Sequence, residues 1–142
     1  MRWYAPVDGF STETVVTVRF AETDAQGIAH NAAYLVWFEV ARIAYLARHA
    51  RGYRHIREQG LEALTIESHV RYLKPVVFDD RLVVHVRCGD VRGARFRYEY
   101  VVARDGEVVA GRATRSSTRR RSGRPACPPG SRTRSRGRRL DG

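Results

Sequence analysis

The chain has 142 residues, 43% of them hydrophobic and 10% aromatic, which suffices for one domain with a real core and argues against global disorder. Its net charge of +11 points at first to a nucleic-acid partner, but residues 1–110 hold 15 basic and 14 acidic side chains, whereas residues 111–142 hold 11 arginines and one acid, Asp141. The excess charge therefore belongs to the end of the chain, and the domain itself is close to neutral.

From the N-terminus, residues 13–20 (ETVVTVRF) alternate Val16, Val18 and Phe20 against Val15, Thr17 and Arg19, which predicts a strand. Residues 21–30 (AETDAQGIAH) carry Asp, Gln and Gly and read as a loop. From Asn31 to Ala50 the period becomes helical, with Asn31 expected as the N-cap. Between Asn31 and Ala47 the only charged residues are Glu39 and Arg42. A helix apolar on nearly all sides must be enclosed by protein.

Residues 51–64 (RGYRHIREQGLEAL) read as a short, more polar helix closed by Gly60. Period-two runs return at 65–74, 80–88 and 95–103, and Asp105-Gly106 signals a type I′ hairpin into EVVAGRA. Strand, buried helix, then four strands makes an α+β domain, a long helix wrapped by one curved antiparallel sheet. One sheet cannot cover every side of such a helix, so a second subunit is expected to complete its shielding. After Ala113 the apolar period fails. Residues 114–142 are rich in Arg, Ser, Gly and Pro, predicting an unstructured tail behind a domain of residues 1–113. The change near residues 114–116 is abrupt and runs toward residues with GC-rich codons, so a shifted reading frame is an alternative origin for it.

Cys88 and Cys127 are too few for a disulfide framework or a zinc site, and MRWYAPVDGF lacks the pattern of a secretory leader. The longest apolar run, residues 32–38, is too short to cross a bilayer. A soluble protein of the reducing cytoplasm is expected.

The chemistry concentrates in the loop before the helix. Asp24 sits beside a tight turn permitted by Gly27, close to a helix N-terminus whose unpaired N–H groups carry about half a positive charge. A carboxylate facing such donors suits acyl transfer: the amides hold a developing oxyanion while the carboxylate acts as base or nucleophile. An Asp before a helix also serves as a cap or closes an Asx turn, and spacing alone leaves both roles open.

The segments VRFAETDAQGIAHNAAYLVWFEVARIAYL and LEALTIESHVRYLKPVVFDDRLVV resemble the hot-dog-fold acyl-CoA thioesterases of the 4-hydroxybenzoyl-CoA thioesterase type, over roughly residues 12–113. The resemblance rests on T-D-x-x-G-x-x-x-N leading into Y-x-x-x-x-E-x-A-R, with R-Y-L-K-P and F-D-D downstream. It implies a hot-dog fold and hydrolysis of an acyl-CoA thioester to a carboxylic acid and free coenzyme A, without metal or redox cofactor. Asp24 would be the catalytic carboxylate, Gly27 the turn glycine, and Asn31 the residue whose backbone N–H binds the thioester oxygen. His30 and Tyr34 would line the acyl pocket. Such sites lie between subunits, so the resemblance implies a homodimer or a dimer of dimers, with coenzyme A along the dimer interface.

Other residues divide between functional and structural roles. Arg71 and Lys74, ending a strand, could meet coenzyme A phosphates, since Arg grips phosphate bidentately, or could be solvated. Glu39 and Arg42 are spaced to pair on the helix, or Glu39 could orient substrate or water. The five histidines show no metal-ligand spacing, and Cys88 reads as a buried thiol. The arginine-rich end lacks aromatic residues for stacking and lacks an amphipathic period, so neither nucleic acid nor membrane is expected as a partner. The rival readings are a non-catalytic acyl-CoA-binding hot-dog protein, nucleic-acid binding through the basic tail, and a hot-dog hydratase. The last needs a His with an acid partner, which the loop does not offer.

Overall fold

Period-two alternation decides which side chains meet. Leu82, Val84 and Val86 share one face of a strand, Tyr98, Tyr100 and Val102 share a face of the next, and all six are buried. The structure, a computed structural model, describes residues 9–120. In chain order they form strand β1 (Thr12–Thr17), a 3-10 turn (Phe20–Glu22), helix α1 (Ala33–His49), the short helix α2 (Tyr53–Glu58), and strands β2 (Leu61–Tyr72), β3 (Arg81–Arg92), β4 (Arg95–Arg104) and β5 (Glu107–Arg120).

The strands make one antiparallel sheet in the order β1-β3-β4-β5-β2. β1 and β2 follow one another in the chain yet occupy opposite edges, so the connection between them must cross the width of five strands, about 19 Å at ~4.8 Å per strand. The 17 residues of α1, about 25 Å at ~1.5 Å per residue, make that crossing over the apolar face. α1 packs on β1 and β3, and its aromatic side chains reach β4: the rings of Phe38 and Tyr100 lie 4.7 Å apart, and Tyr45 meets Tyr98 edge-on at 5.7 Å. Ala33, Tyr34, Trp37, Phe38 and Ala41 form the buried stripe, spaced as one helix face.

The opposite face of α1 is also largely apolar and is not covered by the described residues. Leu35, Val36, Val40 and Ile43 are 40–51% exposed, so the sheet encloses the helix on one side only. β2, twelve residues long and paired among the described residues only with β5, is an edge strand that leaves Leu61, Leu64 and Ile66 exposed. No helix among the described residues is long and apolar enough to cross a membrane.

Three expectations are corrected. Asn31 is not the N-cap: that position falls on Ala32, which makes no side-chain cap, because His30 takes up the neighbouring amides. The polar helix predicted over 51–64 is limited to Tyr53–Glu58, since Gly60 at φ 73° turns the chain and Leu61 onward enters the β2 ladder. The domain boundary expected after Ala113 falls inside a strand. β5 continues to Arg120, with Arg115–Ser117 paired to β4 and Ser116–Arg120 paired to β2. Backbone ladders need no particular side chain, so pairing on both sides carries the strand past the point where apolar alternation stops. Residues 121–142 of the expected tail, Cys127 among them, lie outside the described residues. The Asp105-Gly106 hairpin is as expected, with both residues at positive φ (51° and 78°).

Phe38 is 1% exposed between α1 and β4, and Phe38→Ala is expected to destabilise the fold by about 3–5 kcal/mol in urea titrations, the cost of an unfilled aromatic cavity.

Candidate active site

The loop before α1 is held from below by the Phe78-Asp79-Asp80 turn. Asp79 adopts φ 68°, and Asp80 Oδ2 accepts the Val77 N–H at 2.9 Å and the Arg104 guanidinium at 2.8 Å. Burial would raise the Asp80 pKa, but these donors outweigh it and hold the carboxyl below its ordinary value. The segment so fixed offers the Val76 carbonyl to the Ala29 N–H (2.8 Å), and Val77 bridges to Ile28.

The loop itself is a miniature hairpin. Thr23 bridges Ala29, the Asp24 N–H donates to the Ile28 carbonyl, and the Gly27 N–H donates back to the Asp24 carbonyl, both at 2.9 Å. Gly27 lies at φ 78°, a region that glycine occupies without strain. Asp24 Oδ1 accepts the Gln26 N–H at 2.8 Å, so the Asx turn foreseen as the structural role is present. It occupies one carboxylate oxygen. Asp24 Oδ2 takes no hydrogen bond from the described residues, and the residue is half-buried. The structural and chemical roles are therefore compatible.

At the entry to α1, His30 caps the chain: its Nδ1 accepts the Ala32 N–H at 3.0 Å, which puts the ring proton on Nε2, and its carbonyl accepts the Ala33 N–H at 2.9 Å. The Asn31 N–H donates to none of the described residues, whereas the Asn31 carbonyl accepts the Tyr72 hydroxyl at 2.9 Å. Tyr34 is buried, 4.7 Å from the Trp37 ring and edge-on to Tyr72 at 5.0 Å. Burial, with the neighbouring Tyr72 hydroxyl, pushes its pKa up to about 12, so Tyr34 stays a neutral phenol.

Glu22, which sequence reasoning passed over, is the best-anchored charge near the loop. Its Oε2 accepts the Arg19 N–H (2.9 Å), and its Oε1 accepts the Arg19 guanidinium (3.0 Å) and the buried Trp37 indole N–H (3.1 Å). Its backbone carbonyl accepts the His30 N–H at 2.7 Å. Burial would raise the Glu22 pKa, yet the hydrogen bonds from Arg19 and Trp37 win and lower it. The available signal was Trp37: an indole N–H inside an enclosed helix needs an acceptor, and Glu22 is one of the two acidic residues, with Asp24, in the preceding loop.

Asp24, Gly27, His30, Asn31 and Tyr34 thus fall on one loop and the helix turn it feeds. Arg71 and Lys74 do not join them. Strand alternation sends Arg71 to the sheet face opposite Tyr72. Lys74 forms an ion pair with Glu107 beside the β4–β5 turn. Glu39 and Arg42 pair at 2.7 Å on the uncovered side of α1. Cys88 packs against the core, and burial pushes its thiol pKa up, away from nucleophilic use.

A sequence model of the thioesterase superfamily matches residues 26–122. The chain belongs to the thioesterase superfamily. Among curated relatives, a protein of Aquifex aeolicus named provisionally as an esterase is 36% identical over 93 residues, covering 66% of this chain and 73% of the relative. The acyl-CoA thioesterase YbgC of Haemophilus influenzae is 30% identical over 99 residues, covering 69% and 71%. Among solved structures, a hypothetical protein of Aquifex aeolicus superposes with a TM-score of 0.73 at 31% identity (76% of this chain, 88% of that one). The DHNA-CoA thioesterase of Staphylococcus aureus gives 0.74 at 25% identity (78% and 75%). The superfamily's hot-dog fold, an antiparallel sheet around a long helix, is the architecture described above, and membership makes the chain a thioester hydrolase.

Because the folded state lowers the Glu22 pKa, the stability it contributes is fully present above the ordinary carboxylate range and is lost as pH falls toward the lowered value. Glu22→Gln is therefore expected to cost about 1–3 kcal/mol near neutral pH, since an amide turns donors toward the Arg19 N–H. The gap to wild type should narrow in acid, as read by urea denaturation across pH.

Proposed function

We propose that this thioesterase-superfamily enzyme hydrolyses acyl-CoA thioesters, with Asp24 as the catalytic carboxylate and the Asn31 N–H as an oxyanion donor. The observation that carries the reading is the pairing of a carboxylate oxygen left open, Asp24 Oδ2, with an open backbone donor, the Asn31 N–H, on one loop entering α1. The relatives named as acyl-CoA thioesterases support coenzyme A as the thiol.

As a general base, Asp24 takes a proton from water while the water oxygen attacks the thioester carbonyl. The oxyanion rests against the Asn31 N–H, and collapse breaks the C–S bond, with the proton passing to the departing thiolate. As a nucleophile, Asp24 displaces the thiolate to form a mixed anhydride, which water then opens to regenerate the carboxylate. Both routes give a carboxylic acid and free coenzyme A. The open mouth of the loop, with Phe20 meeting Phe78 edge-on at 5.7 Å beside exposed Val77, suits an apolar acyl group. Gly27 and the Asp24 turn hold the reacting carboxylate, while His30 and Tyr34 border it.

The functional unit is a homodimer. Two uncovered features support this: the apolar stripe of Leu35, Val36, Val40 and Ile43 on α1, and the long free edge of β2, which offers its backbone to another strand. A second copy would close the site from the open side of α1, and Lys74 or Arg71 would meet substrate phosphates only across such an interface.

Asp24→Asn should keep the fold and reduce hydrolysis by about 10²–10⁴-fold, the usual contribution of a positioned base, in a thiol-release assay over a panel of acyl-CoAs. Equal rates for the two proteins would overturn the reading. Val40→Asp should convert the dimer to monomer in sedimentation velocity, since a lone carboxylate inside an apolar interface is costly.

A further inference from the structure

The contacts around the loop form a closed circuit. The Asp24 turn is bonded to itself through the Gln26 and Gly27 amides and the Ile28 carbonyl, and its outgoing strand is bonded to Val76 and Val77, so its placement relative to α1 depends on what links its base to the helix. From its base, Glu22 reaches the Trp37 indole at 3.1 Å. Trp37 lies against Tyr34 (4.7 Å), Tyr34 against Tyr72 (5.0 Å), and the Tyr72 hydroxyl returns to the Asn31 carbonyl at 2.9 Å. One end of this chain of contacts holds the carboxylate loop, and the other holds the Asn31 carbonyl, one Cα away from the N–H offered to the developing oxyanion.

We infer that Glu22, Trp37 and Tyr72 are positioning residues that fix the Asp24 carboxylate at a set distance from the Asn31 amide, an assignment resting on the catalytic reading of Asp24. None of them touches the reacting atoms. Their contribution appears in the transition state, where a displacement of about 1 Å in either partner is costly to rate and matters little to ground-state binding. The circuit also accounts for the burial of a carboxylate so near the loop: Glu22 has three donors, and the indole is the buried one that connects it to the helix.

Two conservative variants test this. Trp37→Phe keeps an aromatic ring against Tyr34 and removes the indole donor together with part of the buried ring. Tyr72→Phe keeps the ring and removes only the hydroxyl, at a residue 42% exposed where the fold tolerates change. With an acyl-CoA that the wild type turns over, each is expected to lower kcat by about 5- to 20-fold with KM within about twofold, as expected when an interaction acts on the transition state alone. The double variant should lose less than the product of the two single losses, because both cut the same circuit. Wild-type kcat in both single variants, alongside an inactive Asp24→Asn, would overturn the positioning role and leave the catalytic reading standing. Losses in kcat that track only the folded fraction, measured by circular dichroism on the same samples, would also overturn it. Full activity in Asp24→Asn would instead remove the catalytic reading and this inference with it.

Discussion

Everything in this structure follows from two consecutive strands lying at opposite edges of one sheet. The chain leaving β1 must travel the full width of the sheet before β2 can pair, and a helix is the economical way to do so without unpaired backbone over an apolar surface. α1 must therefore bury one stripe against β1, β3 and β4. Its first turn then emerges beside the segment that joins β2 to β3, which is why the Asp24 hairpin, the Asn31 peptide and Tyr72 lie together despite wide separation in sequence.

Within that frame, the local energetics turn on buried or half-buried carboxylates whose pKa desolvation alone would raise. Glu22 and Asp80 are both held below the ordinary carboxylate value because oriented donors replace the lost water: Arg19 and Trp37 for the first, the Val77 amide and Arg104 for the second. The two sit on either side of the loop, one at its base and one in the turn beneath it. Their geometric effect is to leave Asp24, whose own bonds are confined to its turn, with one oxygen open.

The elements legible in the sequence were those whose signal is local. The Asp105-Gly106 turn, the alternation in β3 and β4, and the long apolar run of α1 each follow from rules that hold within a few residues. The α+β arrangement of one helix on one antiparallel sheet followed from their order, and the turn at Asp24 and Gly27 was legible because a carboxylate and a turn glycine before a helix form a compact pattern, whereas the catalytic role expected of Asp24 came from the family resemblance. What escaped was non-local. The end of β5 lacks apolar alternation and is held as a strand by backbone pairing with β2 and β4, which no window of residues 114–120 displays. Leu61 and Leu64 read as helix because their exposed edge-strand setting removes the usual alternation. Glu22 carries no local signal of its role, since its partner Trp37 is fifteen positions away. Arg71 and Lys74, near each other in sequence, part company because strand geometry turns them to different surroundings.

The inward side chains near the end of β5 have a consequence for how the molecule breathes. Thr114 and Ser116 are almost fully buried where the central strands carry Val or Tyr, and their hydroxyls find no acceptor among the described residues. A ladder sealed by hydroxyls rather than hydrocarbon gains little from excluding water and bears a desolvation cost of about 1–3 kcal/mol for each stranded group. The end of the β5–β2 ribbon remote from Tyr72 is accordingly the weak foldon, able to fray while β3, β4 and α1 stay closed. Amide protons of residues 61–65 and 116–120 should exchange well before those of Val84 and Val102, giving the molecule a stiff centre and a loosely zipped margin.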